Sequence, residues 1–334
     1  MAKLEISQLN FDQIKSNLKQ YLSNQNQFKD YDFEGSGMAV LLDLLAYNTH
    51  YLAYNANIAA NEMFIDTADL RPSIVSLAKA LGYTPNSVRA PIADINVVVN
   101  GATGATLTMN AGTQFTTTVD NVNYNFVTIG SNTISPIDNV YTFSNLKIYE
   151  GTYVTYNYTA DTSDVDQKFL IQSENADTTT LTVQVQESAT DTTTNTYTKA
   201  TSITELDSDS KVYFLQESDD GKFEVYFGDG VVGKAIADGN IVILKYVVTN
   251  KTAANGASSF ALSGNIGGNT NVTITVNSNA ANGSEAESKE SIKFKAPKSY
   301  AAQDRAVTVN DYKVKVEELY ANASSVSAWG GEDN

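Results

Sequence analysis

The stretch that decides the fold covers residues 36–81 and reads SGMAVLLDLLAYNTHYLAYNANIAANEMFIDTADLRPSIVSLAKAL. Its first part has the composition of a long helix, and Asp43 is the only formally charged residue between Gly35 and Asn61. A helix surface with so few charges is poorly suited to water. We therefore expect most of this helix to be buried, either in the protein's own core or against a partner.

Two series of residues follow this helix with alternating spacings of three and four, which is the a/d pattern of a heptad. The second series is one residue out of phase with the first, so it faces roughly 100° away on a helix of 3.6 residues per turn. One partner helix cannot cover both. The first seam consists of Met38, Leu41, Leu45, Asn48, Leu52, Asn55 and Ala59, and the second seam consists of Val40, Leu44, Tyr47, Tyr51, Tyr54 and Ile58.

Three interpretations of this helix compete. Apolar periodicity is typical of an ordinary core helix. A membrane span would place the side chains of His50 and several asparagines inside the bilayer, where each needs a polar partner. Asn48 and Asn55 on the first seam favour an interface with partner helices, because buried asparagine at such positions fixes helix register at a cost in stability.

The boundaries of the helical region are also predicted. Ser36 is a candidate cap for the long helix, and Asp66 or Thr67 is a candidate cap for a second helix whose first turn accepts Pro72. Gly82 ends that helix, so residues 36–82 predict a helical hairpin. A further helix, capped by Asn10, is predicted within residues 1–30, and residues 1–90 therefore form a helical assembly region.

After residue 91 the pattern changes to short β-branched and aromatic runs separated by Gly, Asn and Asp. The polar stretch 188–210 predicts a long exposed connection or a hairpin tip, and we use it to divide a β-rich domain at 91–200 from a second β-rich module at 201–284. Residues 285–334 return to helix, with a predicted break at Pro297 and a second helix capped by Thr308 or Asn310. We expect this last segment to continue beyond the chain.

The predicted fold class is thus an α+β multidomain protein, with an N-terminal helical hairpin or bundle, β-sandwich-like modules and short helices near the C-terminal end. The chain has 334 residues, no cysteine and a net charge of −16. The charge argues against a nucleic-acid-binding surface. No secretory signal or transmembrane segment is predicted, and we expect a soluble protein assembled in a reducing cytoplasm.

Three features suggest chemistry but have simpler explanations. Residues 228–233 match the dinucleotide-binding spacing GxGxxG, yet no helix follows them, so a turn is predicted. The aspartates in the loops of the second β-rich module could hold calcium, but they lack the EF-hand spacing, and solvated turns are favoured. His50 is the only histidine and lies mid-helix. We predict no catalytic residue, cofactor or metal. The aspartates concerned are Asp207, Asp209, Asp219, Asp220 and Asp229.

Three regions of the sequence together resemble a known family. Residues 45–48 (LAYN), 61–68 (NEMFIDTA) and 77–83 (LAKALGY) resemble baseplate wedge proteins of T-even-type contractile-tail phages. The remaining motifs are similar to the baseplate J-like family, to which those wedge proteins belong. These are 227–230 (FGDG), 233–234 (GK), 287–288 (ES), 296–300 (APKSY), 305–308 (RAVT) and 311–312 (DY).

This resemblance implies a structural, non-enzymatic role in the virion. Wedge proteins of this type occur as two copies that join a further wedge subunit through a bundle of N-terminal helices. Six wedges then form a ring around the tail tube, where sheath-initiator and other baseplate proteins are further expected partners. The resemblance therefore implies that the two seams lie in the helical bundle. It implies no nucleic-acid or membrane partner, and assembly in the host cytoplasm.

One alternative stays open at the sequence level. The β-rich part could be a tail-fibre or adhesin domain that binds host glycans and is trimerised by its helices. Tyr153, Tyr156 and Tyr158 could stack on sugars, although the same residues could form cross-strand pairs. A calcium-dependent or hydrolytic enzyme is a third, less favoured, hypothesis.

Overall fold

The computed structural model describes residues 10–28, 33, 37–138, 140–200, 206–218, 220–303, 305–319 and 325–329. The predicted cap at Ser36 lies outside these residues. The chain divides into two compact units, Met1–Leu81 and Gly82–Asn334. The first unit is helical and the second contains the β-sheets, which confirms the predicted α+β fold class.

The helical unit contains α1 (Phe11–Ser23), a short 3-10 turn at Asn26–Phe28, α2 (Gly37–Asn61) and α3 (Arg71–Ala80). The predicted cap of α1 is confirmed, because the Asn10 side chain accepts a hydrogen bond from the backbone N–H of Gln13 at 2.8 Å. Asp12 in the first turn adds a negative charge at the positive end of the helix dipole.

Helix α1 packs against α2, while α2 and α3 make little contact with each other. The buried side chains of this pair are Ile14 on α1 and Leu42 and Ala46 on α2. Lys15 forms an ion pair with Asp43, Nζ to Oδ1 2.5 Å, so the one charge on the long helix is directed at α1. The helix that packs along α2 is therefore α1, and not α3 as the predicted hairpin required.

The turn between α2 and α3 is stabilised by Glu62. Its carboxylate oxygen Oε1 accepts hydrogen bonds from the backbone N–H of Asp69 at 2.8 Å and of Leu70 at 3.3 Å. The N-cap residue of helix α3 is Leu70, whose side chain accepts no hydrogen bond from the helix. The predicted cap by Asp66 or Thr67 is therefore wrong. The carboxylate from the preceding helix supplies the missing acceptor. Pro72 lies in the first turn, as predicted.

The second unit contains fifteen described strands and two helices. They are β1 (Ile92–Val99), β2 (Leu107–Met109), β3 (Gln114–Val119), β4 (Val122–Val127), β5 (Asn132–Ile134), β6 (Tyr141–Glu150), β7 (Thr152–Thr159), β8 (Phe169–Leu170), β9 (Ala176–Gln186), β10 (Thr194–Lys199), β11 (Val212–Glu217), β12 (Phe223–Phe227), β13 (Ile241–Val248), β14 (Ala261–Ser263), β15 (Val272–Ala281), α4 (Lys289–Ala302) and α5 (Val309–Leu319).

A six-stranded sheet has the order β14-β3-β4-β6-β1-β15, and β2 and β5 form a separate two-stranded sheet. Along β1, every second residue is buried, as expected for a strand with one face on a core. The largest fully buried side chains of this core include Ile95, Phe115, Phe126 and Ile148. Strand β15 pairs with β1 although the whole of the second sheet intervenes in sequence.

A seven-stranded sheet has the order β7-β13-β9-β10-β11-β12-β8. Its pairs are antiparallel except for β10 and β11. The two edge strands approach each other, because the hydroxyl of Tyr158 on β7 donates to the carbonyl of Leu170 on β8 at 2.5 Å, and the rings of Tyr158 and Phe169 meet edge to face at 5.8 Å. The sheet is therefore curled and barrel-like, around a core that includes Leu244 and Tyr246.

Strands β5, β10 and β14 lack the runs of several β-branched and aromatic residues that indicate strands in the sequence. Strand β10 lies inside residues 188–210, so the predicted exposed connection is wrong for residues 194–199. The predicted hairpin tip agrees with residues 188–193, which link the antiparallel strands β9 and β10. Its residues are Thr, Asn, Tyr and Lys, and Tyr197 alone is buried, so the strand has no apolar alternation. Strands β10 and β11 lie on opposite sides of the predicted domain boundary at residue 200, and they pair with each other in one sheet.

The two C-terminal helices follow β15. Ser288 caps α4 by accepting from the N–H of Ser291 at 3.2 Å. The predicted break at Pro297 is wrong, since α4 continues through this proline to Ala302 and ends with Gln303 in the left-handed region. The predicted cap of α5 is confirmed for Thr308, whose hydroxyl accepts from the N–H of Asp311 at 3.2 Å.

Gly151 connects β6 to β7 and should not tolerate a side chain. Its φ is +124°, and an added Cβ would lie 2.1 Å from the carbonyl oxygen of Val248. Strain and overlap together predict that Gly151→Ala lowers the free energy of unfolding by about 3–5 kcal/mol. Gly221→Ala is the matched control: φ is also positive there but the space is open, so about 1–2 kcal/mol is expected. Urea unfolding would measure both variants. Equal losses of unfolding free energy would contradict the predicted overlap between the added Cβ and Val248.

The Glu62 carboxylate makes the helical unit sensitive to acid. Burial raises the pKa of Glu62, but hydrogen bonds from Asp69, Ser73 and Leu70 outweigh it, and the net pKa lies below the ordinary value of 4.5. A carboxyl group with a lowered pKa stabilises the fold fully above its unfolded pKa, and this contribution is lost as the pH falls through the folded value.

We expect Glu62→Gln to abolish this site's share of the pH dependence of stability in the acid range. Helical circular dichroism against urea, at neutral pH and at about pH 3, would measure it. Asp66→Asn in the same turn is the control, because the carboxylate of Asp66 is exposed. An unchanged pH profile in Glu62→Gln would contradict the role of the carboxylate.

Candidate assembly interface on the second helix

Helix α2 exposes an unusually apolar surface. Its large apolar side chains have exposed fractions between 40% for Ile58 and 70% for Val40. Such a concentration of exposed Leu, Val, Ile and Tyr on one helix exceeds the scattered exposed residues of an ordinary surface. The side chains concerned are Val40, Leu41, Leu44, Leu45, Tyr47, Tyr51, Leu52, Tyr54 and Ile58.

The geometry of the helix explains why α1 leaves both seams uncovered. Leu42 and Ala46, which are buried on the α1 side, belong to neither seam. Each residue is rotated by 100° from the one before it, so the second seam lies on the face opposite Leu42 and the first seam on one flank. The chain's own packing thus takes one narrow stripe and leaves more than half of the helix surface exposed.

The smaller and polar seam residues complete this surface. Asn48, Asn55 and Ala59 are exposed, and Met38 is half-buried. The rings of Tyr47 and Tyr51 stack on each other with centroids 6.4 Å apart. The structure thus brings all predicted seam residues onto one continuous helix, where the second seam is wholly exposed. No partner chain is present, so the role of these residues stays a prediction.

The exposed apolar surface extends past α2, which the heptad pattern did not reveal. Met63 is 68% exposed, Phe64 is 53% exposed and Leu70 is 58% exposed, all in the turn that Glu62 stabilises. The run Met63-Phe64-Ile65 was a signal for this surface, because three successive apolar residues in a short turn cannot all point inward.

The glycine-rich loop at residues 228–233 is a tight turn between β12 and β13, as predicted. The N–H of Gly230 donates to the carbonyl of Gly233 at 3.0 Å, and the carboxylate of Asp229 accepts from the N–H groups of Val231 and Val232. These two hydrogen bonds lower the pKa of Asp229, and the bond from Val232 has the larger effect. No helix begins after the loop within the described residues 234–240, so it lacks the element that binds a pyrophosphate.

The loop aspartates act as local hydrogen-bond acceptors. Asp207 accepts from the hydroxyl of Ser210 and the N–H of Asp209, and the Ser210 bond is the main reason that its pKa is lowered. Asp220 accepts from the N–H of Lys222. Among the residues that the structure describes, which exclude Asp219, no group of three metal-ligating side chains occurs. His50 is exposed on α2.

The three tyrosines of β7 are used inside the protein. The hydroxyl of Tyr153 donates to the carbonyl of Ile129 at 3.3 Å, and Tyr158 bonds Leu170 as described above. The ring of Tyr156 stacks on Tyr246 of the neighbouring strand with centroids 6.1 Å apart. Tyr156 and Tyr246 thus form a pair between neighbouring strands, as the cross-strand alternative predicted, and Tyr156 stays 41% exposed. In the part of the chain that is described, no helix is long and apolar enough to cross a membrane.

Comparison with known proteins agrees with this architecture. Residues 10–83 match the family model of the baseplate wedge protein gp6-like helical domain, which covers α1, α2 and α3. Residues 156–257 match the third domain of bacteriophage baseplate wedge protein gp6, which covers most of the seven-stranded sheet. Both segments therefore match models of the gp6-like baseplate wedge family, and the predicted resemblance to baseplate wedge proteins is confirmed.

A relative in Enterobacteria phage T4 is baseplate wedge protein gp6. The two sequences are 31% identical over 338 aligned residues, which cover 93% of this chain and 50% of the relative. The chain therefore spans half the length of this relative. Among solved structures, a chain of the 6-fold symmetrised cryo-EM baseplate of the anti-feeding prophage aligns with this chain. The alignment covers 90% of this chain and 56% of the baseplate chain, with 11% sequence identity and a TM-score of 0.32.

The same substitution at two positions three residues apart on α2 should distinguish the core from the exposed surface. Leu42 is 1% exposed and Leu45 is 53% exposed. In dilute solution of the isolated chain, we expect Leu42→Ala to lower the free energy of unfolding of the helical unit by about 2–5 kcal/mol. Leu45→Ala should change it by no more than about 0.5 kcal/mol. Helical circular dichroism against urea measures both, and a large loss in Leu45→Ala would show that the first seam packs within the chain.

Proposed function

We propose that this chain is a structural subunit of the baseplate wedge in a phage or phage-like contractile tail. Helix α2 joins the helices of a second copy and of a further wedge subunit in one bundle. The observation that carries the proposal is the apolar surface of α2, which α1 leaves exposed along both seams. The match of two segments to models of the gp6-like family supports the same role.

The energetics favour a permanent bundle. Burying a half-exposed Leu, Val, Ile or Tyr contributes roughly 1 kcal/mol or more, and nine such side chains lie on α2. Ordering the partner helices and losing their free motion opposes this gain. Because the second seam lies opposite the α1 contact and the first lies on a flank, two further helices are needed to cover them. Two additional helices agree with a bundle that contains a second copy and a further wedge subunit.

The asparagines of the first seam give the bundle its specificity. Asn48 and Asn55 are seven residues apart, so they occupy equivalent heptad positions. An amide buried in an apolar interface is tolerated only when a partner amide or hydroxyl faces it. Leucine at both sites would stabilise a bundle but allow several registers. The pair thus selects the register in which copies and partner align.

Three further elements of the proposal follow from the family. The subunit would act mechanically and without catalysis, as part of a ring of wedges around the tail tube that widens when the host is sensed. Its location would be the tail baseplate of the virion, after assembly in the host cytoplasm. Sheath-initiator and other baseplate proteins would be neighbours in the ring, with no nucleic acid or membrane partner.

The proposal is tested by light-scattering mass of the full chain, alone and co-expressed with the products of neighbouring tail genes. We expect a complex of defined mass with one neighbour. Leu45→Asp with Leu52→Asp on the first seam, and Leu44→Asp with Tyr51→Asp on the second, should each abolish it. A charge in an apolar interface costs several kcal/mol.

The matched control carries the same charges on exposed apolar residues elsewhere. Val165→Asp with Val231→Asp alters side chains that are 92% and 72% exposed in loops of the seven-stranded sheet. This variant should assemble like the unaltered chain. A complex that survives both seam variants, or an unaltered chain that stays monomeric with every neighbour, would overturn the proposal.

A further inference from the structure

The two large sheets of the second unit are joined where the chain crosses between them twice. The first crossing, Glu150-Gly151-Thr152, leads from β6 of the six-stranded sheet into β7 of the seven-stranded sheet. The return crossing follows β13 at Thr249 and Asn250. Thr152 pairs with Val248, so the two crossings lie side by side. A connection of this kind is a potential hinge, unless other contacts fix it.

Glu150 ties the two crossings together. It is the last residue of β6, and its side chain is fully buried. Its carboxylate accepts three hydrogen bonds from the return crossing: from the Thr249 hydroxyl at 2.6 Å, the Asn250 N–H at 2.8 Å and the Asn250 side-chain amide at 2.7 Å. A buried carboxylate with three donors is well compensated, and it becomes costly if those donors move away.

Asp177 makes the reverse connection. It is the second residue of β9 in the seven-stranded sheet and is 1% exposed. One carboxylate oxygen accepts from the N–H of Ala90, just before β1 of the six-stranded sheet, at 2.9 Å. The other accepts from the N–H and hydroxyl of Thr179. Each sheet thus contributes a buried carboxylate with at least one donor next to a strand of the other sheet.

Apolar contacts fill the rest of the junction. Ala90, Val127 and Val247 are buried together, with Tyr149 and Tyr153 packed against them. Burial, followed by the charge of Asp177, raises the pKa of Tyr149 on β6. The close approach of Gly151 to Val248 adds a steric constraint on the backbone. Separation of the sheets would expose this apolar cluster and leave both carboxylates without their hydrogen-bond donors from the other sheet.

We propose that Glu150 and Asp177 hold the six- and seven-stranded sheets in one fixed orientation, so that the β region moves as a single rigid arm. Rotation at the junction would require both carboxylates to lose donors at once, which makes the coupling cooperative. If the chain is a wedge subunit, as proposed above, movements of the assembled baseplate must then occur outside this junction. The rigidity itself is a property of the isolated chain and does not depend on that role.

The test is a distance distribution between two spin labels on the full chain. The sequence has no cysteine, so Val122→Cys and Val165→Cys supply the only labelling sites. Val122 begins β4 in the six-stranded sheet, and Val165 lies in the loop before β8; they are 51% and 92% exposed. Double electron–electron resonance should give one narrow population. A broad distribution in this parent would overturn the proposal.

Glu150→Ala in this parent should replace the narrow population by a broad or two-component one, and should speed amide hydrogen exchange at Asn250. Glu285→Ala is the matched control, because Glu285 pairs with Lys251 beside the same crossing but its side chain is 63% exposed. It should leave the distribution narrow. A folded Glu150→Ala variant with a narrow distribution would overturn the proposal.

If Glu150→Ala does not fold, Thr249→Val gives the answer, since it keeps the side-chain shape and removes one of the three donors. Broadening in Thr249→Val supports the proposal, and an unchanged narrow distribution refutes it. These outcomes concern the isolated chain only. The mass measurements on the seam variants decide the wedge assignment separately, so failure of one proposal leaves the other standing.

Discussion

The pairing of β1 with β6 on one side and β15 on the other is the constraint on which the second unit depends. Val97 lies opposite Phe143 in one ladder and opposite Ile274 in the other. The second ladder joins residues separated by the entire seven-stranded sheet, so that sheet is an insertion whose two ends must meet. The narrow crossing at Gly151, the pairing of Thr152 with Val248 and the buried Glu150 all follow from this closure.

The two units treat their apolar residues in opposite ways. In the sheets, many large side chains are enclosed: Phe115, Phe126, Leu244 and Tyr246 are fully buried, and the tyrosines of β7 make hydrogen bonds or ring contacts within the unit. Helix α2 encloses only the stripe that faces α1. Since exposed apolar surface of this extent is unfavourable in water, the helical unit is incomplete by itself while the sheets are complete. The exposed helix suits an assembly element, and the enclosed sheets suit a part that is folded before assembly.

The sequence-based prediction was strongest where one periodicity ran for many residues. The change to β structure after residue 91, the cap at Asn10 and the long helix α2 all agree with it, because the apolar spacing repeats there over many residues. It was weaker at helix ends and breaks. Glu62, rather than Asp66 or Thr67, accepts from the backbone at the start of α3, and α4 continues through Pro297. Strand β10 has only Tyr197 to bury, so its place in the sheet comes from its neighbours.

The sequence by itself determined the fold class, the two seams and the resemblance to the wedge family, since these depend on residue types and spacings along the chain. It could not give the discontinuous six-stranded sheet, because antiparallel pairing between distant strands leaves no local signal. It could not distinguish Glu150 and Asp177 from the other acidic residues either. Only the tertiary structure brings Asn250 and Ala90 to those carboxylates, and burial among such donors turns two ordinary charges into the contacts that join the sheets.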